Sequence, residues 1–120
     1  MKKIILFVAF IAGAVSFTQA QAKRSQAVTI KTPTVQCESC KQRIETYLAK
    51  EDGVFKAVVD YKRKTTKVTF YNDKTNVENI KTAIANAGYD ADDVAANPDS
   101  YNKLPKCCKK TEDGGGGKKN

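Results

Sequence analysis

Residues 27–50 read AVTIKTPTVQCESCKQRIETYLAK, and the change of period inside this stretch decides the architecture. Val28 and Ile30 alternate with polar neighbours over 27–31, as in a strand with one buried face, and Pro33 ends the run. From Cys40 onward the apolar positions switch spacing. Cys40, Ile44, Tyr47 and Leu48 recur at i, i+4, i+7 and i+8, the stripe of one helix face, which predicts a helix over about 39–50 stopped by Asp52-Gly53. Cys37 and Cys40 straddle the point where loop becomes helix.

Downstream, 54–61 and 66–71 are rich in Val, Thr, Phe and Tyr, and the polar Lys62-Arg63-Lys64-Thr65 between them predicts a hairpin. Its inward residues are expected to be Ala57, Val59, Val68 and Phe70. A second helix is signalled next: Thr75 stands three residues before Glu78 as in a capping box, Val77, Ile80, Ile84 and Ala87 form a stripe, and Gly88 stands at the C-terminal cap. Residues 89–94 read as a short last strand. Asn97-Pro98 resembles an N-cap followed by a proline at the first helical position, so 98–104 is expected to form one or two turns. The order strand, helix, strand, strand, helix, strand predicts an α+β fold, a ferredoxin-like βαββαβ sandwich with two helices on one face of an antiparallel sheet. The domain spans 27–95, a short C-terminal extension with a second cysteine pair spans 96–112, and the Gly/Lys tail 113–120 is expected to be disordered.

At 120 residues, 41% apolar and 28% charged, the chain has room for one core and not for a two-domain enzyme. Lys2 and Lys3 precede an apolar run over 4–17, followed by Ala20-Gln21-Ala22, so 1–22 reads as a signal peptide cleaved after Ala20 or Ala22. The run is shorter than the roughly 20 residues of a spanning helix, and no cysteine near the cleavage site offers a point for lipid attachment. The expectation is an exported, periplasmic or secreted, soluble monomer with no membrane insertion after cleavage. Without Lys2 and Lys3, 19 basic residues face 13 acidic ones, a net charge of +6. The lysines are scattered rather than gathered on one helix face, and an exported protein rarely meets nucleic acid, so none is expected as partner.

The inventory of donor atoms is narrow. There is no His and no Trp, and the one Met is Met1, yet four cysteines stand in two tight pairs, Cys37/Cys40 and Cys107/Cys108. Soft chemistry here is thiol chemistry. The free N–H groups and dipole of a helix start favour thiolates at Cys37 and Cys40, while Glu38 between them opposes ionisation. Two close thiolates suit a soft cation content with two nearly collinear sulfurs, Cu(I) or Hg(II), and low coordination leaves the ion open to attack by another protein's thiols.

The strand-loop-CxxC-helix of 28–48, the Gly53-Val54 link, Val59-Asp60 and the Ala87-Gly88-Tyr89 turn together resemble the heavy-metal-associated domain over 28–94. The resemblance implies that Cys37 and Cys40 are the metal-binding sulfurs, that Tyr89 is the aromatic beside the metal, and that the partner is a heavy-metal transporter or a metal donor or acceptor protein. The sequence departs from the family at Thr34-Val35, where Gly-Met is usual. A ferredoxin-like topology would gather the CxxC loop, the turn Lys62-Arg63-Lys64 and Gly88-Tyr89 at one end. With Lys41 and Arg43 these form a basic rim expected to dock an acidic partner face.

For Cys107 and Cys108 three roles stand open: extra thiolates that raise the coordination number and admit Zn(II) or Cd(II), a disulfide with Cys37 or Cys40, or a loose pair on a mobile tail. A last strand of about 20 Å would carry the chain away from the CxxC end, so the extension would have to return. The rival functional classes are a thioredoxin-like thiol-disulfide oxidoreductase and a structural disulfide framework. Asp90, Asp92 and Asp93 read as a solvated turn rather than a hard-metal site. No enzyme is expected; the reading is an exported protein that binds a soft heavy-metal ion for capture, sequestration or transfer.

Overall fold

The computed structural model describes residues 24–115; the leader expected over 1–22 and the end of the tail, 116–120, lie outside the described residues. Strand β1 (Ser25–Lys31) leads through the cysteine loop into helix α1 (Glu38–Ala49), then strands β2 (Val54–Asp60) and β3 (Thr65–Tyr71), helix α2 (Val77–Asn86) and a short helix α3 (Pro98–Asn102). The sheet is antiparallel with order β1-β3-β2. Period-two alternation puts Ile30, Val59, Thr66, Val68 and Phe70 inside, while Thr29, Lys56, Val58 and Lys67 face solvent. Both helices lay their stripes on the inner face: Cys40, Ile44 and Leu48 from α1 and Ile80, Ala83 and Ile84 from α2 join the strand residues in one core. Each fully buried Ile or Leu of this set contributes about 1.5–3 kcal/mol by leaving water. This is the α+β ferredoxin-like arrangement, and the hairpin residues Val59, Val68 and Phe70 are buried as their pattern requires, with Ala57 packed against them.

Helix α1 is pinned to β2 by one carboxylate. Glu45 Oε2 accepts from Lys41 Nζ at 2.7 Å and from the Val59 amide at 2.9 Å, and Lys41 Nζ also reaches the Val59 carbonyl at 3.3 Å. The Glu45 hydrogen bond, more than any other influence, raises the Lys41 ammonium above its ordinary pKa. Three local expectations need correction. Tyr47 is 39% exposed, because the stripe narrows to Cys40, Ile44 and Leu48 where the helix faces β2. The cap of α2 is Asn76, whose side chain accepts from the Asn79 amide at 2.8 Å, and Thr75 is buried instead. The third concerns residues 89–94.

No fourth strand forms among the described residues. Ala91 and Val94 make an isolated bridge, and the Asp92 amide donates to the Lys31 carbonyl at 2.8 Å while Asp92 Oδ1 accepts from the Lys31 amide at 2.8 Å. Asp90 Oδ1 takes the Ala96 amide at 2.8 Å. Carboxylates thus satisfy the backbone donors that a ladder would have used, and Asp92, at φ 50°, turns the chain after a single contact with the end of β1. Lys81 meets Glu78, Asp92 and Asp93, so the acidic group is an ion-pair cluster around a lysine. Without a last strand the chain never crosses the sheet away from the cysteine loop, and the extension starts at that end.

Candidate metal centre

Four segments meet at the N-terminal mouth of α1. Cys37 is its N-cap, in extended conformation and without a side-chain cap bond, and Cys40 lies in the first turn. Their sulfurs are 3.3 Å apart, so the i, i+3 spacing turns both side chains to the same place. The loop before them is held on two sides. Thr32 Oγ1 and Thr66 Oγ1 pair at 3.0 Å in the core, and the hairpin turn clamps the loop from the other side, with the Thr32 amide donating to the Lys64 carbonyl at 2.9 Å and Lys64 Nζ to the Val35 carbonyl at 2.5 Å. Val35 is fully buried.

The hairpin turn and Gly88-Tyr89 stand at the same end as Cys37 and Cys40, as the topology requires. Lys62 and Arg63 are exposed. Lys64 and Lys41 are not free rim charges, since the first holds the loop and the second pairs with Glu45. Tyr89 is fully buried, and among the described residues its hydroxyl is the one buried side-chain oxygen or nitrogen without a hydrogen-bond partner. Burial, above all, raises its pKa; Arg43 opposes the rise and Cys37 and Cys107 add to it, which sets the phenol in the electrostatic neighbourhood of the sulfurs.

The extension brings the second pair to the first. Cys40 is joined to Cys108 by a disulfide, with Cα atoms 5.8 Å apart, while Cys37 and Cys107 remain free thiols. Cys37 Sγ lies 3.5 Å from Cys107 Sγ and 3.9 Å from Cys108 Sγ, and the two extension sulfurs are 3.9 Å apart. The hydrogen bond with Cys37, then burial, raises the Cys107 thiol above its ordinary pKa. Cys40 and Cys108 are fully buried while Cys37 is part-exposed, and the loose-tail role for the second pair is set aside. The sulfurs of Cys37, Cys40 and Cys108 all lie within 4.8 Å of one another, close enough to hold one ion.

Sequence reasoning missed the residues that fix this geometry. Leu104 is buried over Gly88, where a methyl group would stand 3.0 Å from its side chain. The Asn97 amide donates to the Ala85 carbonyl at 2.9 Å. Gln36 Nε2 donates to the Lys109 carbonyl at 2.6 Å, and Tyr101 Oη accepts from the Lys110 amide at 2.7 Å while donating to Asp113 at 2.6 Å. A further turn over Thr111–Asp113 closes on Gly114 and Gly115, so these first tail residues are tied to the extension. The only sequence signal was the well-marked N-cap Asn97-Pro98, which starts a short helix carrying Tyr101.

Comparison with known proteins bears on this site directly. The heavy-metal-associated domain family matches residues 29–90, a span that includes Cys37, Cys40 and Tyr89 and ends before the extension. The chain is 42% identical over 64 residues to a mercuric transport protein periplasmic component of Shewanella putrefaciens, covering 53% of this chain and 70% of that one. It is 39% identical over 62 residues to the copper chaperone CopZ of Staphylococcus saprophyticus, covering 52% and 91% of the two chains. Among solved structures, oxidized MerP from Ralstonia metallidurans CH34 superposes with a TM-score of 0.54 at 33% identity, over 56% of this chain and 93% of that one.

Proposed function

The chain belongs to the heavy-metal-associated domain family, and on that premise we propose that, once the Cys40–Cys108 disulfide is reduced, it captures a soft ion, Hg(II) or Cu(I), between Cys37 and Cys40 and hands it to a membrane transporter. The observation that carries the reading is the 3.3 Å approach of the two sulfurs at the mouth of α1, inside the span that the family matches. Two thiolates satisfy such an ion with few ligands, and an ion held by few ligands passes readily to an incoming thiolate. Relatives named for mercuric transport in the periplasm and for copper chaperoning support binding and transfer, and favour this reading over a thioredoxin-like oxidoreductase. The same names support export of this chain after loss of the leader; among the described residues no helix is long and apolar enough to cross a membrane. Lys62 and Arg63, exposed beside the cysteine loop, offer the charge for docking an acidic partner face as a monomer, and the buried Tyr89 lies in the electrostatic neighbourhood of Cys37 and Cys107.

Anaerobic titration of the purified, reduced protein with Hg(II), Cu(I) and Zn(II), repeated on Cys37→Ser/Cys40→Ser, tests the proposal. One equivalent of Hg(II) or Cu(I) bound by the parent and lost in the variant is the expected result. Undiminished binding of both ions by the variant overturns it.

A further inference from the structure

We propose that Cys107 and Cys108 complete a four-thiolate site with Cys37 and Cys40 that holds a divalent, thiophilic ion such as Cd(II) or Zn(II) once the Cys40–Cys108 disulfide is reduced. The inference deepens the two-sulfur reading above and rests on it for Cys37 and Cys40. Four sulfurs at about 2.3 Å from a tetrahedral ion stand roughly 3.8 Å from one another. Four of the six spacings are 3.3 Å for Cys37–Cys40, 3.5 Å for Cys37–Cys107, and 3.9 Å for both Cys37–Cys108 and Cys107–Cys108; Cys40–Cys108 is the disulfide, and because the sulfurs mutually within 4.8 Å are those of Cys37, Cys40 and Cys108, Cys107 has to close on Cys40 as the ion enters.

The second pair does not depend on the disulfide for its position. Leu104 packs over Gly88, Gln36 grips the Lys109 carbonyl, and Tyr101 binds both the Lys110 amide and Asp113, so the turn over Lys106–Cys108 is anchored on both sides of the cysteines. The surroundings also suit the charge. Four thiolates around a divalent cation carry a net −2, and Lys106, Lys109 and Lys110 border the second pair while the open first turn of α1 borders the first.

Loading needs two balanced steps. A dithiol reductant gives two electrons and two protons to the Cys40–Cys108 disulfide: that S–S bond breaks, two protein thiols form, and the reductant leaves as its own disulfide. The ion then displaces one proton from each of the four thiols as four metal–sulfur bonds form. Two-coordinate ions need only Cys37 and Cys40, so the extension discriminates by coordination number: it retains ions that want four ligands and leaves two-coordinate ions free to move on.

X-ray absorption on the reduced protein loaded with one equivalent of Cd(II) counts the sulfurs, and competition titration gives the affinity. The expected count is four in the parent, three in Cys107→Ser, which keeps both members of the disulfide, and two in Cys107→Ser/Cys108→Ser. The double variant should lose Cd(II) affinity by on the order of 100-fold or more while still taking one Hg(II). A parent count of two, or equal Cd(II) affinity in parent and double variant, overturns the four-sulfur site and leaves the two-sulfur reading standing. The reverse pattern, Hg(II) lost with the extension cysteines and kept without Cys37 and Cys40, overturns both.

Discussion

Leu104→Ala tests whether the extension is held by packing or merely tethered by sulfur. Leu104 is 6% exposed and sits over Gly88, whose missing side chain leaves no atom to fill the space if Leu104 is truncated. Buried Leu→Ala changes cost roughly 2–5 kcal/mol, and a site at the edge of the core, free to collapse, belongs near the lower end, about 2.7 kcal/mol. At about 1.4 kcal/mol per tenfold, the undocked population of the extension should rise about 100-fold. The assay is native-state hydrogen exchange on the reduced, metal-free protein, so that Cys40 and Cys108 are not covalently joined. The reporting amides are Cys108, bonded to the Pro105 carbonyl at 2.9 Å, and Lys110, bonded to Tyr101 Oη at 2.7 Å. Their protection should fall about 100-fold while the amides of β3, the central strand, change little, because local opening need not involve the sheet. Unchanged protection at Cys108 and Lys110 would show that Leu104 does not hold the extension. An equal fall in β3 would show that extension and domain open as one unit, and either result refutes the reasoning.

Gly88→Ala presses on the same contact from the other side. At φ 108°, where a side chain strains the backbone, and 3.0 Å from Leu104, the added methyl should cost about 1–3 kcal/mol in denaturant unfolding; a loss under about 0.5 kcal/mol would contradict it. Tyr89→Phe removes a buried hydroxyl that has no partner, so the metal-free protein should be unchanged or more stable by about 1 kcal/mol, and a clear loss of stability would mean that the hydroxyl is bonded in solution. Lys62→Glu/Arg63→Glu should leave the melting temperature unchanged, since both residues are exposed, yet slow metal transfer to an acidic partner about tenfold at low salt. Transfer at the parent rate, with the parent salt dependence, would remove these residues from the docking surface.

Most of the domain is legible in one dimension because its signals are local. The period-two runs of β1 and β3, the stripes of α1 and α2, and the Asn97-Pro98 start of α3 each depend on near neighbours, and each element forms where its pattern puts it, with Tyr47 and the α2 cap as the local exceptions. Sequence and structure part where a local signal has a tertiary competitor. Residues 89–94 carry enough apolar character for a strand, but Asp90 and Asp92 spend their carboxylates on the amides of Ala96 and Lys31, and the chain turns instead. Lys64 and Lys41 read as surface charge because nothing in the sequence reveals that the Val35 and Val59 carbonyls stand within their reach, although Glu45, four residues after Lys41 on the same helix, is a local clue to its pairing.

The two-sulfur half of the site is written in local spacing: cysteines three positions apart at a helix start, with Glu38 and Ser39 between them, bring Cys37 and Cys40 together whatever the rest of the chain does. The other half belongs to the tertiary fold. Cys107 lies 70 residues from Cys37, and no periodicity spans that distance. The aborted last strand keeps the chain at the cysteine end, and Leu104, Gln36 and Tyr101 then close the extension over the site. A short-range pattern fixes which way a side chain points, whereas the meeting of remote segments depends on packing and hydrogen bonds that exist only once the fold has formed.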